Sequence, residues 1–347
     1  MAEPSRLLFS FLMQLRDYQE SLSTEAAKLL EWTNIVYFSW EVRVGKTLAA
    51  LAAAEKYGAK VVLFVTKLKA ISSIQDDYDA LNPSFIIDII NYEQLGNIIR
   101  TNYDLIICDE AHGLGQYPTP RQRVRSLKKI AEWKPIIYLS GTPTPESYSQ
   151  LYHQFFISSY SPFKEYKNFY SWAKDFVTVA KKYFFNRQIN CYDNADKAKI
   201  DELTKHLFLS YSQEEAGFTE FVEEEVIYLR MMPTTYGLIK KLQRDRLYIG
   251  KNGEEILADT EVKLMNKCHQ CFSGTVLSED KKGIIFDRSK ATFIREHFAG
   301  QKIAIFYKFR AEAIMLVSVF GIDRLTSSPD AFNQNDNLIF ASQIQSG

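Results

Sequence analysis

The segment SWEVRVGKTLAA, Ser39 to Ala50, carries Gly45, Lys46 and Thr47 in succession. A glycine, a lysine and a hydroxyl residue in that order suit a phosphate-binding loop. The glycine lets the backbone come close, the lysine neutralises phosphate, and the hydroxyl binds Mg²⁺. The full pattern G-x-x-x-x-G-K-[ST] asks for glycine at position 40, where Trp40 stands. Taken alone, these three residues are equally well explained as a helix cap followed by a surface lysine. A second element decides between the two. LIICDEAH, Leu105 to His112, is an apolar run that ends in Asp109 and Glu110. Buried acids need partners, so paired carboxylates at the tip of a buried strand seldom serve packing. Asp109 is placed to hold Mg²⁺, and Glu110 to orient or deprotonate an attacking water. Two solvated acids at a strand end are the competing reading.

The surrounding elements must position these groups. NIVYFSW (Asn34 to Trp40) reads as a strand. GKTLAALAAAEKYG follows as an Ala- and Leu-rich helix with no breaker until Gly58. AKVVLFVT (Ala59 to Thr66), SFIIDII (Ser84 to Ile90), YDLIICD (Tyr103 to Asp109) and KPIIYLS (Lys134 to Ser140) are further strands. Their near-continuous apolar character is that of parallel strands buried on both faces. This predicts an α/β domain over residues 1–155 that binds the nucleotide. Residues 156–220, rich in aromatics, Lys and Asp, read as a mostly helical insertion. A second parallel α/β domain over 221–347 follows, opening with a strand at FVEEEVIYLRM (Phe221 to Met231) and looking incomplete at its end.

Composition narrows the class. The chain has 347 residues, is 46% hydrophobic, and holds 20 Tyr and 24 Phe. Forty-two basic residues balance 42 acidic ones. That excludes a uniformly basic surface but leaves room for a local basic groove. Four cysteines are too few for a disulfide scaffold, so a reducing compartment is expected. No apolar run approaches membrane-spanning length, and LLFSFLMQL (Leu7 to Leu15) reads as a buried N-terminal segment.

The ordered set of motifs resembles the superfamily 2 helicases and translocases. DEAH follows an apolar strand, with Gly-Lys-Thr upstream and SGTP (Ser140 to Pro143) downstream. Within that superfamily the set is most similar to the Swi/Snf-like branch, and phage-encoded members above all. LRDYQ (Leu15 to Gln19), INYEQL (Ile90 to Leu95), IAIFYKFRAE (Ile303 to Glu312) and IFASQIQSG (Ile339 to Gly347) are similar to its other motifs in the right order. The resemblance implies two RecA-like domains and ATP-driven movement on single-stranded or duplex DNA. RNA, or a nucleotide-gated DNA-binding module with little catalysis, are the alternatives.

The resemblance also implies roles. Arg16 and Gln19 would lie at adenine, and Arg43, Val44, Gly45, Lys46, Thr47 and Leu48 would form the phosphate loop. Lys46, Asp109, Glu110 and His112 would act in hydrolysis, with Thr47 and Asp109 on Mg²⁺. Ser140, Gly141, Thr142, Gln343, Ser346 and Gly347 would couple hydrolysis to movement. Thr66, Lys67, Asn91, Tyr92, Tyr307 and Lys308 would touch nucleic acid, although for Thr66 and Lys67 an ordinary strand-end turn is the other reading. Family members carry an arginine finger beyond QIQSG. The chain ends at Gly347, within that segment, so weak hydrolysis by this chain alone is expected. Replication or recombination proteins are the implied partners, no membrane is, and the cytoplasm (a bacterial host's, for a phage protein) is the implied location.

Three features stay outside this set. PRQRVRSLKKIAEWK carries Arg121, Arg123, Arg125, Lys128 and Lys129, either a phosphate contact or a solvated helix face. Cys268 and Cys271 form a C-x-x-C without a second pair, and read as small core residues of an amphipathic helix. YSPFKEYKNFYSW (Tyr160 to Trp172) reads as an aromatic core, with base stacking as the alternative.

Overall fold

The computed structural model describes residues 14–98, 102–184, 187–218, 223–250 and 253–344. The protein is mixed α/β and divides into two compact units, Met1–Phe221 and Val222–Gly347. Among the described residues, no helix is long and apolar enough to cross a membrane. Most of the Leu7 to Leu15 run lies outside the described residues.

The first unit is built on α1 (Asp17–Thr33), β1 (Ile35–Trp40), α2 (Lys46–Tyr57), β2 (Val61–Thr66), α3 (Ile71–Leu81), β3 (Ile86–Asn91), β4 (Leu105–Cys108), α4 (Gln122–Ile130) and β5 (Ile136–Ser140). It continues through α5 (Gln150–Phe155), α6 (Phe169–Phe176), β6 (Ala180–Phe184), β7 (Arg187–Cys191), α7 (Lys197–Thr204) and β8 (Phe208–Tyr211). Six strands form one sheet in the order β3-β2-β4-β5-β1-β8, with every pair parallel.

Side chains alternate across that sheet with the period of two that a strand imposes. Tyr37, Leu63, Val65, Ile106 and Tyr138 join one buried cluster. Val36, Phe38, Val62, Phe64, Ile107 and Leu139 join another. Both faces are therefore dry, which explains why the strands read as continuous apolar runs. On the second face, α2 buries Ala49, Ala50, Leu51, Ala52, Ala53 and Ala54. Its small side chains let the helix lie close on the strands and on α1.

The stretch 156–220 differs from a helical insertion. It contributes α6 and α7, but also the antiparallel β6–β7 hairpin and β8, which pairs with β1 as Tyr37↔Phe208 through Trp40↔Tyr211. Phe163, Phe169, Trp172, Phe176, Ile200 and Leu207 share the core cluster of Ile106 and Tyr138. Phe163, Phe169 and Trp172 thus pack on the first unit's own sheet, which keeps the stretch in that unit and takes these rings away from base stacking, while Tyr170 stays 51% exposed.

The second unit holds α8 (Pro233–Asp245), β9 (Leu247–Ile249), β10 (Glu255–Leu257), α9 (Glu261–Phe272), β11 (Thr275–Leu277), β12 (Gly283–Ile285), α10 (Ser289–His297), β13 (Ala304–Tyr307), α11 (Arg310–Phe320), β14 (Leu325–Thr326), α12 (Pro329–Gln334) and β15 (Ile339–Gln343). A parallel sheet runs β13-β15-β14, and β9–β10 and β11–β12 are antiparallel pairs. The strand expected at Phe221 to Met231 is not formed among its described residues. Val226 is 64% and Tyr228 92% exposed, so the middle of that run packs on no sheet, although Met231 at its end is buried. Cys271 is buried in the core of α8 and α9, and Cys268 packs beside it.

Candidate nucleotide site

The site gathers at the C-terminal ends of β1, β4 and β5. Trp40 is still a strand residue, paired to Tyr211, with its ring buried and stacked on Phe38. The turn therefore begins after it, which removes the need for glycine at position 40. Two left-handed residues then make the reversal, Arg43 at φ 66° and Gly45 at φ 75°. Glycine suits the second position on two counts. A side chain is strained at that φ, and a Cβ there would collide with the Gln19 amide. Arg43 is exposed, and its backbone occupies the kind of conformation that glycine adopts without cost.

The loop is braced from both ends of the unit. Gln19 is 4% exposed. Its Oε1 accepts from the Arg16 amide at 2.9 Å, and its Nε2 donates to the carbonyls of Val44 (3.4 Å) and Gly45 (3.3 Å). Tyr18 Oη donates to the Val44 carbonyl at 2.9 Å while its ring stacks on Tyr211. The chain after β8 grips the loop start, since Gln213 Nε2 donates to the Val42 carbonyl at 2.9 Å and the Gln213 amide donates to Glu41 Oε2 at 2.8 Å. The sequence reading missed Tyr18, Tyr211 and Gln213. The polar–aromatic alternation of LFLSYS was the available signal for β8.

Lys46 and Thr47 start α2, where free amides and the helix dipole favour an anion. Lys46 Nζ donates to the Trp40 and Glu41 carbonyls, both at 2.9 Å. Burial lowers the Lys46 pKa, against the charges of Glu110 and Asp109, which raise it. Gly141 stands beside this amine, since a Cβ on it would lie 3.9 Å from Lys46 Nζ. The β1–β5 register, Ser39↔Ser140, brings the SGTP loop there.

Asp109 and Glu110 follow β4. Burial pushes the Asp109 carboxyl up, with Glu110 adding to the rise. The Thr66 hydroxyl and Lys46 oppose it. Glu110 sits at φ 50°, a left-handed backbone for a residue that is not glycine. Strain of this kind collects at functional positions. His112 Nδ1 lies 3.0 Å from Ser140 Oγ and 3.2 Å from Glu110 Oε2. Burial lowers the His112 pKa more than Glu110 raises it, so the imidazole is neutral near pH 7 and is not a charged partner of Glu110. Ser140 Oγ in turn accepts from the Thr142 amide at 3.2 Å, and Thr142 is exposed. A continuous polar chain thus runs from Glu110 to the SGTP loop.

Three residues expected at a nucleic-acid surface are instead internal. Thr66 is 0% exposed and its hydroxyl donates to Asp109 Oδ2 at 2.7 Å. Asn91 is 6% exposed and caps the turn after β3 by accepting from the Gln94 amide. Tyr92 is 5% exposed and donates to the Asp109 carbonyl at 2.5 Å. Thr66 ends β2 beside β4 and Tyr92 follows β3, and both reach Asp109, whereas Asn91 turns back on its own segment. Of the four in the first unit, Lys67 faces outward. In the basic stretch, Arg123 bonds the Gly113 carbonyl and covers the Tyr92 ring, while Lys128 bonds the Phe156 carbonyl. Arg121, Arg125 and Lys129 are exposed. In the second unit, Tyr307 is half-buried and Lys308 exposed, and Gln343 Nε2 donates to the Lys308 carbonyl at 2.8 Å. Ser346 and Gly347 lie outside the described residues.

The donors fit ATP with Mg²⁺. A lysine and free amides stand at a helix start, and a hydroxyl and a half-buried carboxylate supply hard oxygens. Among the described residues, no cluster of three or more His, Cys, Asp or Glu could hold a metal alone. Mg²⁺ suits such a place, because it takes one or two protein oxygens and completes its shell with phosphate and water.

No family model and no curated protein matches the chain. Among solved structures, it is similar to the Sulfolobus solfataricus SWI2/SNF2 ATPase core in complex with dsDNA, at 15% identity over 97% of this chain and 79% of that one, with a TM-score of 0.47. It is similar to the Pyrococcus furiosus Hef helicase domain at 13% identity, over 95% and 86% of the two chains, with a TM-score of 0.42. It is also similar to the Type ISP restriction-modification enzyme LlaBIII bound to DNA, at 12% identity over 96% of this chain and 24% of that one, with a TM-score of 0.42.

Proposed function

We propose that the chain is an ATPase that uses hydrolysis to move on DNA, a helicase or translocase. The observation that carries the reading is the meeting of the Gly45-Lys46-Thr47 loop with Asp109, Glu110 and the His112–Ser140 contact at neighbouring strand ends. Lys46 and the first amides of α2 bind the phosphates. Thr47 and Asp109 hold Mg²⁺, which when bound neutralises phosphate charge. Glu110 orients the attacking water and accepts its proton. His112, close to Glu110 and hydrogen-bonded to Ser140, passes the change in charge at Glu110 to the Thr142 loop. Gln19 and Arg16 stand where adenine is read, and Gln19 also ties that region to the phosphate loop.

DNA as the track rests on the ordered motif set, with Lys67, Arg121, Arg125 and Lys129 as its candidate contacts in the first unit, and Tyr307 and Lys308 in the second. Cytoplasmic replication or recombination proteins are its expected partners. The test is ATP turnover with single-stranded DNA, duplex DNA and RNA, for wild type and Glu110→Gln. Glu110→Gln should lower turnover roughly 10²–10⁴-fold, the usual share of a general base, and leave nucleotide binding intact. Equal turnover in the two proteins would remove the hydrolysis reading and leave a nucleotide-gated binding module. Stimulation by RNA alone would make it an RNA motor.

A further inference from the structure

Asp109 is fixed by three neighbours at three points. Its amide donates to the Val65 carbonyl at 2.9 Å, its carbonyl accepts from Tyr92 Oη, and its Oδ2 accepts from Thr66 Oγ1 at 2.7 Å. Of these, the Thr66 contact sets the carboxylate rather than the backbone, and it is the side-chain donor there beside the local hydrogen bond from the Glu110 amide. Thr66 ends β2, and the register Val65↔Cys108 sets it beside Asp109 although 43 residues separate them. The hydroxyl has no exposure to solvent. As a β-branched residue, threonine has few side-chain rotamers, so the donor is held in place before any ligand arrives. Engaging Oδ2 leaves Oδ1 free of this hydrogen bond.

We propose that Thr66 is the positioning residue for the Mg²⁺-binding carboxylate, presenting Asp109 in one orientation through its hydroxyl. The proposal rests on the nucleotide-site reading above. It assigns Thr66 to the metal and not to nucleic acid, and it makes the end of β2 serve both functions, with exposed Lys67 next in the chain. Partners that orient a metal ligand typically account for roughly 10- to 100-fold in metal affinity.

The test is binding of a fluorescent ATP analogue by the full chain, titrated with MgCl₂. Thr66→Val keeps the shape and removes the donor. It should raise the Mg²⁺ concentration for half-maximal binding roughly 10- to 100-fold and leave Mg²⁺-free binding unchanged, while Thr66→Ser should stay near wild type. If Thr66→Val does not fold, Thr66→Ala serves the same comparison, leaving a small gap in place of the methyl. A Thr66→Val protein with the wild-type Mg²⁺ requirement would overturn the proposal while leaving the nucleotide site standing. A wild type that fails to bind the analogue at any Mg²⁺ concentration would overturn both.

Discussion

Two aspartates, one in each unit, Asp287 buried and Asp109 half-buried, show how the same side chain serves different ends. Asp287 in the second unit is 1% exposed and accepts from the Met232 amide (2.8 Å), the Ser289 amide (2.8 Å) and the Thr235 hydroxyl (2.5 Å). Burial pushes its carboxyl up, but the hydrogen bonds from Ser289, Thr235 and Met232 outweigh that and hold it below the usual carboxylate range. Asp109 receives one hydrogen bond from the Thr66 hydroxyl and one from the Glu110 amide, and burial still leaves its carboxyl raised. Asp287 is saturated by the protein and so stitches α8 to the start of α10. Asp109 keeps acceptor capacity in a half-buried place, which costs stability and suits a cation.

The comparison breaks first at Asp287. Replacing it with Asn removes a charge that three donors solvate, and charged hydrogen bonds are each worth about 1.5–3 kcal/mol. Asp287→Asn should destabilise the second unit by about 3 kcal/mol, seen as lost amide-exchange protection in α8 and α10. The four tryptophans, Trp32, Trp40, Trp133 and Trp172, all lie in the first unit, so their fluorescence should not follow the change.

Asp109→Asn should do the reverse. It should change the first unit's stability by less than about 1 kcal/mol and abolish Mg²⁺-dependent nucleotide binding. Acid separates the two further. The folded pKa of Asp287 is depressed, so its stabilisation is complete above the unfolded carboxylate pKa and is lost as pH falls through the folded one. The folded pKa of Asp109 is raised, so protonation relieves its burial. Its penalty lessens as pH falls through the raised value, and Mg²⁺ binding fades at a higher pH than for an ordinary aspartate. Tryptophan-monitored unfolding of wild type and Asp109→Asn between neutral and acid pH checks this.

The smallest effect is expected at Arg43. Its left-handed backbone costs about 1 kcal/mol relative to glycine, so Arg43→Gly should raise the first unit's stability by up to that amount. ATP affinity should stay unchanged if the exposed guanidinium makes no phosphate contact. Weaker ATP binding would place Arg43 at the phosphates.

Much of this site was legible in the sequence because its parts are local. Gly45-Lys46-Thr47 follows an apolar run, and Asp109-Glu110 and Ser140 end others, so each could be put at a strand tip without knowing the sheet order. Thr66 and Tyr92 could not be read that way. Their hydrogen bonds reach Asp109 across 43 and 17 residues, and only the order β3-β2-β4 brings them together. Trp40 looked like a defect in the glycine pattern because nothing in its neighbourhood announces the pairing with Tyr211. For the same reason β8 went unread. It is four residues long, lies in an aromatic-rich stretch, and gains its identity from β1 some 170 residues earlier. Patterns set by one segment could be read from it, whereas contacts between segments required the fold.

The claim on which all of this depends is that the β1–α2 loop binds nucleotide through Lys46. Equilibrium binding of ATP with Mg²⁺ to wild type and Lys46→Ala tests it most directly. The structure predicts saturable binding by wild type and strongly weakened binding by Lys46→Ala, with the fold retained. Equal affinity in the two proteins, or no saturable binding by wild type, would contradict it.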